Sequence, residues 1–128
     1  EAANRVEYLQ TGKVDVILAN FTVTPERAEA VDFADPYMNV ALGVVSHKDK
    51  VVTDLDQIGD RTVIVISGTT AETYLTEHNK GLKLEKYDTY AAAKTAFENN
   101  PDAVWANDNT EKQRHNKRKN IRFIAIYF

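Results

Sequence analysis

The sequence predicts an α/β protein in which strands and helices alternate around a mostly parallel sheet. Three observations point there. Short β-branched runs such as Thr62–Ile66 recur along the chain, separated by stretches of helix length. Helix-start residues follow several of these runs: Thr24-Pro25, Thr69 with Glu72 three residues on, and Asp88-Thr89. The 128 residues are 43% hydrophobic and 27% charged, the balance of a globular protein with one core.

Residues 2–11 place Ala3, Val6 and Leu9 at three-residue steps with Gly12 just beyond, which reads as a helix with a glycine stop. Val16 to Ala19 is an apolar run too short for three helical turns, so Asp15–Ala19 reads as a buried strand. Thr24 can accept from orphan amides and Pro25 suits the first helical position, so a helix spans about Pro25–Val31. Asp32 to Pro36 is loop, and residues 40–47 form a second apolar run around Gly43. Thr53–Ile58 reads as a short capped helix and Thr62–Ile66 as a strand, followed by a helix from about Thr70 to Asn79. Lys83–Tyr87 is a strand, Asp88 and Thr89 cap a helix carrying Ala93, Ala96 and Phe97, and 99–102 is a turn. A strand over Ala103–Ala106, a helix after Asp108 and a last strand within Ile121–Phe128 complete the pattern.

Three places carry candidate chemistry. Arg27 lies in the first turn of its helix, where a cation opposes the helix dipole. Either it pairs with Asp32 or a nearby Glu, or strand end, free amides and guanidinium together await a carboxylate. Gly68-Thr69-Thr70-Ala71-Glu72 begins a helix directly after a strand, with Thr69 and Glu72 spaced as a capping box. It is either a well-capped helix or an anion site, since helix amides point outward there. Asp108 follows the strand Ala103–Ala106, where ligands collect in open α/β sheets, and a helix N-cap is its alternative role.

The sequence from Asn20 to Tyr37, Asn-Phe-Thr-Val-Thr-Pro-Glu-Arg-Ala-Glu-Ala-Val-Asp-Phe-Ala-Asp-Pro-Tyr, resembles the signature of the bacterial extracellular solute-binding proteins of family 3. These are the polar-amino-acid-binding proteins of ABC importers. The resemblance implies a type II periplasmic-binding-protein-like fold, with a partial first lobe over 1–46 and a nearly complete second lobe over 47–128. It places the boundary near Ser46–Asp49. It also implies that an amino acid is captured between the lobes and delivered to the ABC transporter permease, from a periplasmic or extracellular location. Lipid anchoring of the full-length protein is left open. By that resemblance Arg27 and Thr22 take the ligand's α-carboxylate with Gly68, Thr69 and Thr70, and Asp108 takes its α-ammonium. Asn20 contributes through its carbonyl, and Phe21 either stacks on the ligand side chain or packs in the core. Ser67 is a weaker candidate.

The resemblance covers about residues 2–111. Family members run to roughly twice this length, and lobe one's first strand, helix and second strand precede the matching part. No secretory signal stands at the front, and the chain is expected to begin inside the mature protein. A partial lobe one would leave apolar surface uncovered, from which self-association or domain swapping is expected.

Charge is uneven: residues 1–111 carry 10 cations and 19 acids, a balance of −9, whereas 112–128 carry six cations and no acid, +6. Such a tail can announce nucleic-acid binding, but only His115 interleaves its basic residues, so a solvated face is the better account and no nucleic acid is expected. The tail 112–128 is atypical of the family, serving either as the last strand of lobe two or as an altered end. With no cysteine, disulfides and Cys-based zinc sites are excluded. His47, His78 and His115 lack ligand-like spacing, so neither metal nor cofactor is expected. The rival reading is a cyclohexadienyl (prephenate or arogenate) dehydratase-like enzyme on the same fold. It needs a general acid in the cleft, and no Glu or His is compellingly placed for one; an enzyme is not expected.

Overall fold

The computed structural model describes residues 1–78, 81–109 and 121–126. A 3-10 turn at Ala2–Asn4 runs into helix α1, Arg5–Gln10, and helix α2 spans Pro25–Ala30. Strand β1, Ala41–His47, is followed by 3-10 turns at Lys48–Lys50 and Leu55–Gln57 and by strand β2, Thr62–Ile66. Helix α3, Thr70–Glu77, leads to β3, Lys83–Tyr87, and helix α4, Tyr90–Asn99, leads to β4, Val104–Asn109. Strand β5 is Ile121–Ile126.

The five strands lie in the order β3-β2-β4-β1-β5. β2 runs parallel to β3 and β4, while β1 runs antiparallel to β4 and β5. The sheet is therefore mixed, not mostly parallel. Helices α3 and α4 each return the chain to the same end of the sheet, which dictates parallel pairing. β1 enters without such a crossover and runs against its neighbours.

Alternation along the central strands divides the core. Val63 and Val65 join Val44, Val104 and Ala106 under α3, against Ala71 and Leu75. Ile64 and Ile66 face the other way, with Val45, Ala93, Phe97 and Ala103. Every residue of β2 is buried, as expected of a strand covered on both faces. Ala2 belongs to the second cluster, so the N-terminal segment is docked onto the sheet layer.

Two expected elements differ. Asp15–Ala19 is not a strand. Val16 and Leu18 are 67% and 87% exposed, and among the described residues no strand lies beside them. An apolar run becomes a strand only when a neighbour supplies the ladder of hydrogen bonds. Instead the run ends at Ala19, whose carbonyl accepts from the Phe21 amide at 2.8 Å and the Tyr37 hydroxyl at 2.6 Å. The second difference is at Asp108, which lies inside β4 and so caps no helix. The helix expected after it falls within 110–120, outside the described residues.

The turn between β2 and α3 is held by a close approach. Gly68 has φ +77°, and a Cβ there would lie 2.5 Å from the Ala3 Cα. Gly12, φ +66°, has open space around it. Each Gly→Ala change incurs a left-handed penalty of about 1 kcal/mol, but Gly68→Ala must also push the N-terminal turn off the sheet. Urea unfolding is expected to show the greater loss for Gly68→Ala, with Gly12→Ala confined to the backbone penalty; equal losses would contradict this packing.

Candidate functional site

Adjacent parallel strands bring their carboxyl ends together. The pairing of Ile64 with Trp105, carried on, sets the end of β2 level with Asn107 and Asp108. The turn 67–69 and the start of α3 stand beside this edge, and the first turn of α2 faces it.

Thr24 caps α2 by accepting from the Arg27 amide at 3.2 Å. This fixes Arg27 in the first turn, where its charge is misplaced with respect to the helix. The side chain turns away from the helix instead: Nη1 donates to the Thr22 carbonyl at 2.9 Å and Nη2 to the Gly68 carbonyl at 3.0 Å. Among the described residues neither Asp32 nor any Glu forms an ion pair with it. Arg27 thus links the α2 segment to the turn before α3. Two of its five N–H bonds are taken by these carbonyls.

The Gly68 peptide is gripped from both sides. Its N–H donates to Glu72 Oε2 at 2.7 Å while its carbonyl holds Arg27. Thr69 caps α3 as expected, accepting from the Glu72 amide at 3.3 Å. The reciprocal bond of the capping box, however, goes to Gly68 rather than to Thr69. Burial pushes the Glu72 carboxyl up, but Lys86 of β3, whose Nζ is 2.7 Å from Glu72 Oε1, and the Gly68 amide together hold it below its ordinary value.

Thr70 Oγ1 donates to Asp108 Oδ1 at 3.3 Å, joining α3 to β4. Burial raises the Asp108 pKa above the ordinary carboxylate range, against the opposing pull of Thr70, Arg27 and Arg5. Arg27 is shifted in the complementary sense: burial lowers its pKa first and Arg5 next, with Asp108 and Glu26 opposing. The two groups are thus both partly buried and each feels the other's charge. Phe21 forms a wall, with the Arg27 guanidinium carbon 4.7 Å from its ring centroid and Phe33 tilted against it at 5.3 Å.

The structure thus brings together Arg27, Thr22, Gly68, Thr70, Asp108 and Phe21. Thr69 is turned inward: it is buried, and its hydroxyl donates to the Ile66 carbonyl at 2.7 Å while its amide donates to that carbonyl at 3.3 Å. Asn20 offers a carbonyl, which accepts from Arg5 Nη1 at 3.0 Å. Ser67 donates its amide to the Tyr87 carbonyl at 2.9 Å. Arg5 was not anticipated. Its guanidinium carbon lies 5.7 Å from the Phe21 centroid, so two cations flank one ring. In the sequence it is one polar residue on an amphipathic helix, and nothing local distinguishes it.

A small apolar hollow of about 10 Å³, room for scarcely one water, lies elsewhere, lined by Leu42, Val44, Leu55, Tyr74, Leu75 and Ala106. It belongs to the core beneath α3 and offers no charged side chain. Among the described residues no cluster of His, Asp and Glu is arranged to hold a metal ion.

The crevice carries a pH signature. Asp108 binds its proton more tightly in the folded state than in the unfolded one, so its unfavourable contribution is absent in acid and grows as pH rises through its unfolded and then its folded value. Asp108→Asn is expected to unfold at higher urea than the parent at pH 7, with the gap closing below about pH 4. A gap that widened in acid would contradict the assignment.

Residues 1–121 match the family described as bacterial extracellular solute-binding proteins, family 3. The glutamate-binding protein GluB of Corynebacterium efficiens is 32% identical over 107 residues, covering 80% of this chain and 36% of that protein. Among solved structures, the solute receptor for L-cysteine of Neisseria gonorrhoeae is 56% identical with a TM-score of 0.80, covering 84% of this chain and 44% of the other. The cysteine-binding protein of Campylobacter jejuni is 46% identical at the same TM-score and coverage. The chain thus spans well under half the length of these relatives.

Proposed function

The chain belongs to the bacterial extracellular solute-binding proteins of family 3, and we propose that it forms the ligand-gripping portion of an ABC importer's amino-acid receptor. The observation that carries this reading is that Arg27 and Asp108, from opposite parts of the chain, meet the same turn, Arg27 at the Gly68 carbonyl and Asp108 at the Thr70 hydroxyl two residues on. A free amino acid is a zwitterion whose opposite charges lie a few ångströms apart. Arg27 takes the carboxylate in its planar fork, with the Thr22 segment beside it. Asp108 takes the ammonium at the other end. Thr70 orients Asp108, Glu72 and Lys86 keep the Gly68 turn rigid, and Phe21 meets the ligand's side chain. Arg5 steadies the Asn20 loop and adds positive potential.

We infer the division between the two parts from sheet membership. Because β1 pairs along its length with β4 and β5, we place the junction before Ala41 instead of near Ser46–Asp49. Closing the two parts on the ligand then couples binding to a hinge motion, since only the closed form makes both sets of contacts. The permease reads that closed shape on the outer side of the membrane. Among the described residues no helix is long and apolar enough to cross a membrane.

Among the polar amino acids we favour L-cysteine, because the two cysteine receptors, at 56% and 46% identity, lie nearer this chain than the glutamate-binding relative at 32%. These relatives are binding proteins by name and lend the dehydratase reading no support.

A thermal-shift screen against the twenty amino acids tests this. L-cysteine is expected to raise Tm more than the other nineteen. Arg27→Lys replaces a bidentate, charge-assisted contact worth about 1.5–3 kcal/mol and should weaken binding about 10- to 150-fold. A response to none of the twenty, or one indifferent to Arg27→Lys, would overturn the proposal.

A further inference from the structure

We propose that Glu72 is a positioning residue for the ligand grip, aiming Arg27 through the Gly68 peptide groups from an anchor on Lys86 of β3. This rests on the function proposed above and adds to it a residue that does not itself meet the ligand.

Three observations carry it. First, Glu72 departs from the bond a capping box would give it. In that pattern the third helical residue reaches back to the N–H of the cap, here Thr69. The Thr69 N–H donates instead to the Ile66 carbonyl at 3.3 Å, and Glu72 Oε2 reaches one residue further, to the Gly68 N–H at 2.7 Å. That is the length of a charge-assisted bond.

Second, Gly68 is the place in this turn where the direction of a carbonyl most needs fixing. It stands at φ +77°, and a glycine carries no side chain to restrict its backbone. Its carbonyl accepts from Arg27 Nη2 at 3.0 Å. The Glu72 carboxylate and the Arg27 guanidinium thus hold the same residue, one by its N–H and the other by its C=O. Releasing the first lets the carbonyl against which the second is aligned tilt.

Third, the carboxylate is itself fixed from the sheet. Leu84 packs in the cluster under α3, and alternation along β3 puts Lys86, two residues on, on that same face. Its Nζ lies 2.7 Å from Glu72 Oε1, which leaves Oε2 to Gly68. Lys86 is paired in register with Val65 of β2, so the anchor belongs to the ladder of the strand that ends at the turn. A binding group is held as precisely as the residues that support it.

The alternative role for Glu72 is helix stability alone, and a double-mutant cycle separates the two. The probe is the amino acid, of the common twenty, that raises the parent's Tm most, L-cysteine by expectation, titrated by calorimetry. Glu72→Ala is expected to weaken binding about 3- to 10-fold. Glu72→Gln, which keeps an acceptor for the Gly68 N–H, should restore most of that loss. In the Arg27→Lys background Glu72→Ala should weaken binding no further, because the fork it aims is gone. Without ligand, exchange of the Gly68 amide proton should quicken in Glu72→Ala and not in Glu72→Gln. Circular dichroism checks that each variant folds. Where Glu72→Ala does not, Glu72→Lys combined with Lys86→Glu takes its place in the cycle, since it keeps an ion pair and still removes the acceptor. Unchanged affinity in Glu72→Ala, or the same fold-loss in both backgrounds, would overturn this proposal alone. A parent that binds none of the twenty would overturn the function on which it rests, and this proposal with it.

Discussion

The constraint on which the rest depends is the guanidinium of Arg27, which donates to carbonyls on both sides of the crevice, at Thr22 and at Gly68. A cation in the first turn of a helix opposes that helix's dipole, by a few tenths of a kcal/mol to about 1. Partial burial adds to the penalty and lowers the group's proton affinity. Neither effect is relieved by an ion pair within α2. The compensation is spread over two carbonyl acceptors, the face of Phe21 and the field of Asp108. Asp108 is the mirror image, an acid whose burial outweighs the cations around it. Two groups held in this state are partly desolvated yet retain capacity for a further partner. On the proposed function, a ligand bearing both charges would satisfy the two together, where a plain anion or a plain amine would leave one unanswered.

The scaffold follows from simple sources. Parallel pairing of β2 with β4 places the α3 turn beside Asp108, and the αL conformation of Gly68 lets that turn press against Ala3. The Gly68 peptide is then fixed by Glu72 on one side and Arg27 on the other. Rigid backbone at a ligand site reduces the ordering cost of binding. In the proposed site, the residues that cap a helix would also prepare the recognition surface.

Much of this was legible in the residue order. Thr24-Pro25, Thr69 and Thr89 each announced a helix start, and each hydroxyl accepts the amide expected of an N-cap. The run at 62–66 became a strand at those limits because propensity and burial agreed there, and 83–87 became one by pairing with it. The signature segment singled out Arg27, for which local rules alone left an ion pair and a carboxylate site both open. What the sequence could not convey was anything set by a distant neighbour. Asp15–Ala19 has the composition of a strand but lacks a partner among the described residues, and a strand is a property of the pair. Asp108 looked equally suited to a cap until pairing with Leu42 of β1 drew it into β4. Arg5 and Lys86 act across 15 and 14 residues of sequence, on Asn20 and Glu72, and no short-range pattern marks them.

The central claim is geometric: one small zwitterion spans Arg27 and Asp108. The most direct measurement is a crystal structure of the protein with L-cysteine bound. The account requires the ligand carboxylate within hydrogen-bonding distance of the Arg27 fork, about 2.7–3.2 Å, and its ammonium equally close to Asp108. A ligand seated elsewhere, or one that meets only one of these two side chains, would contradict it.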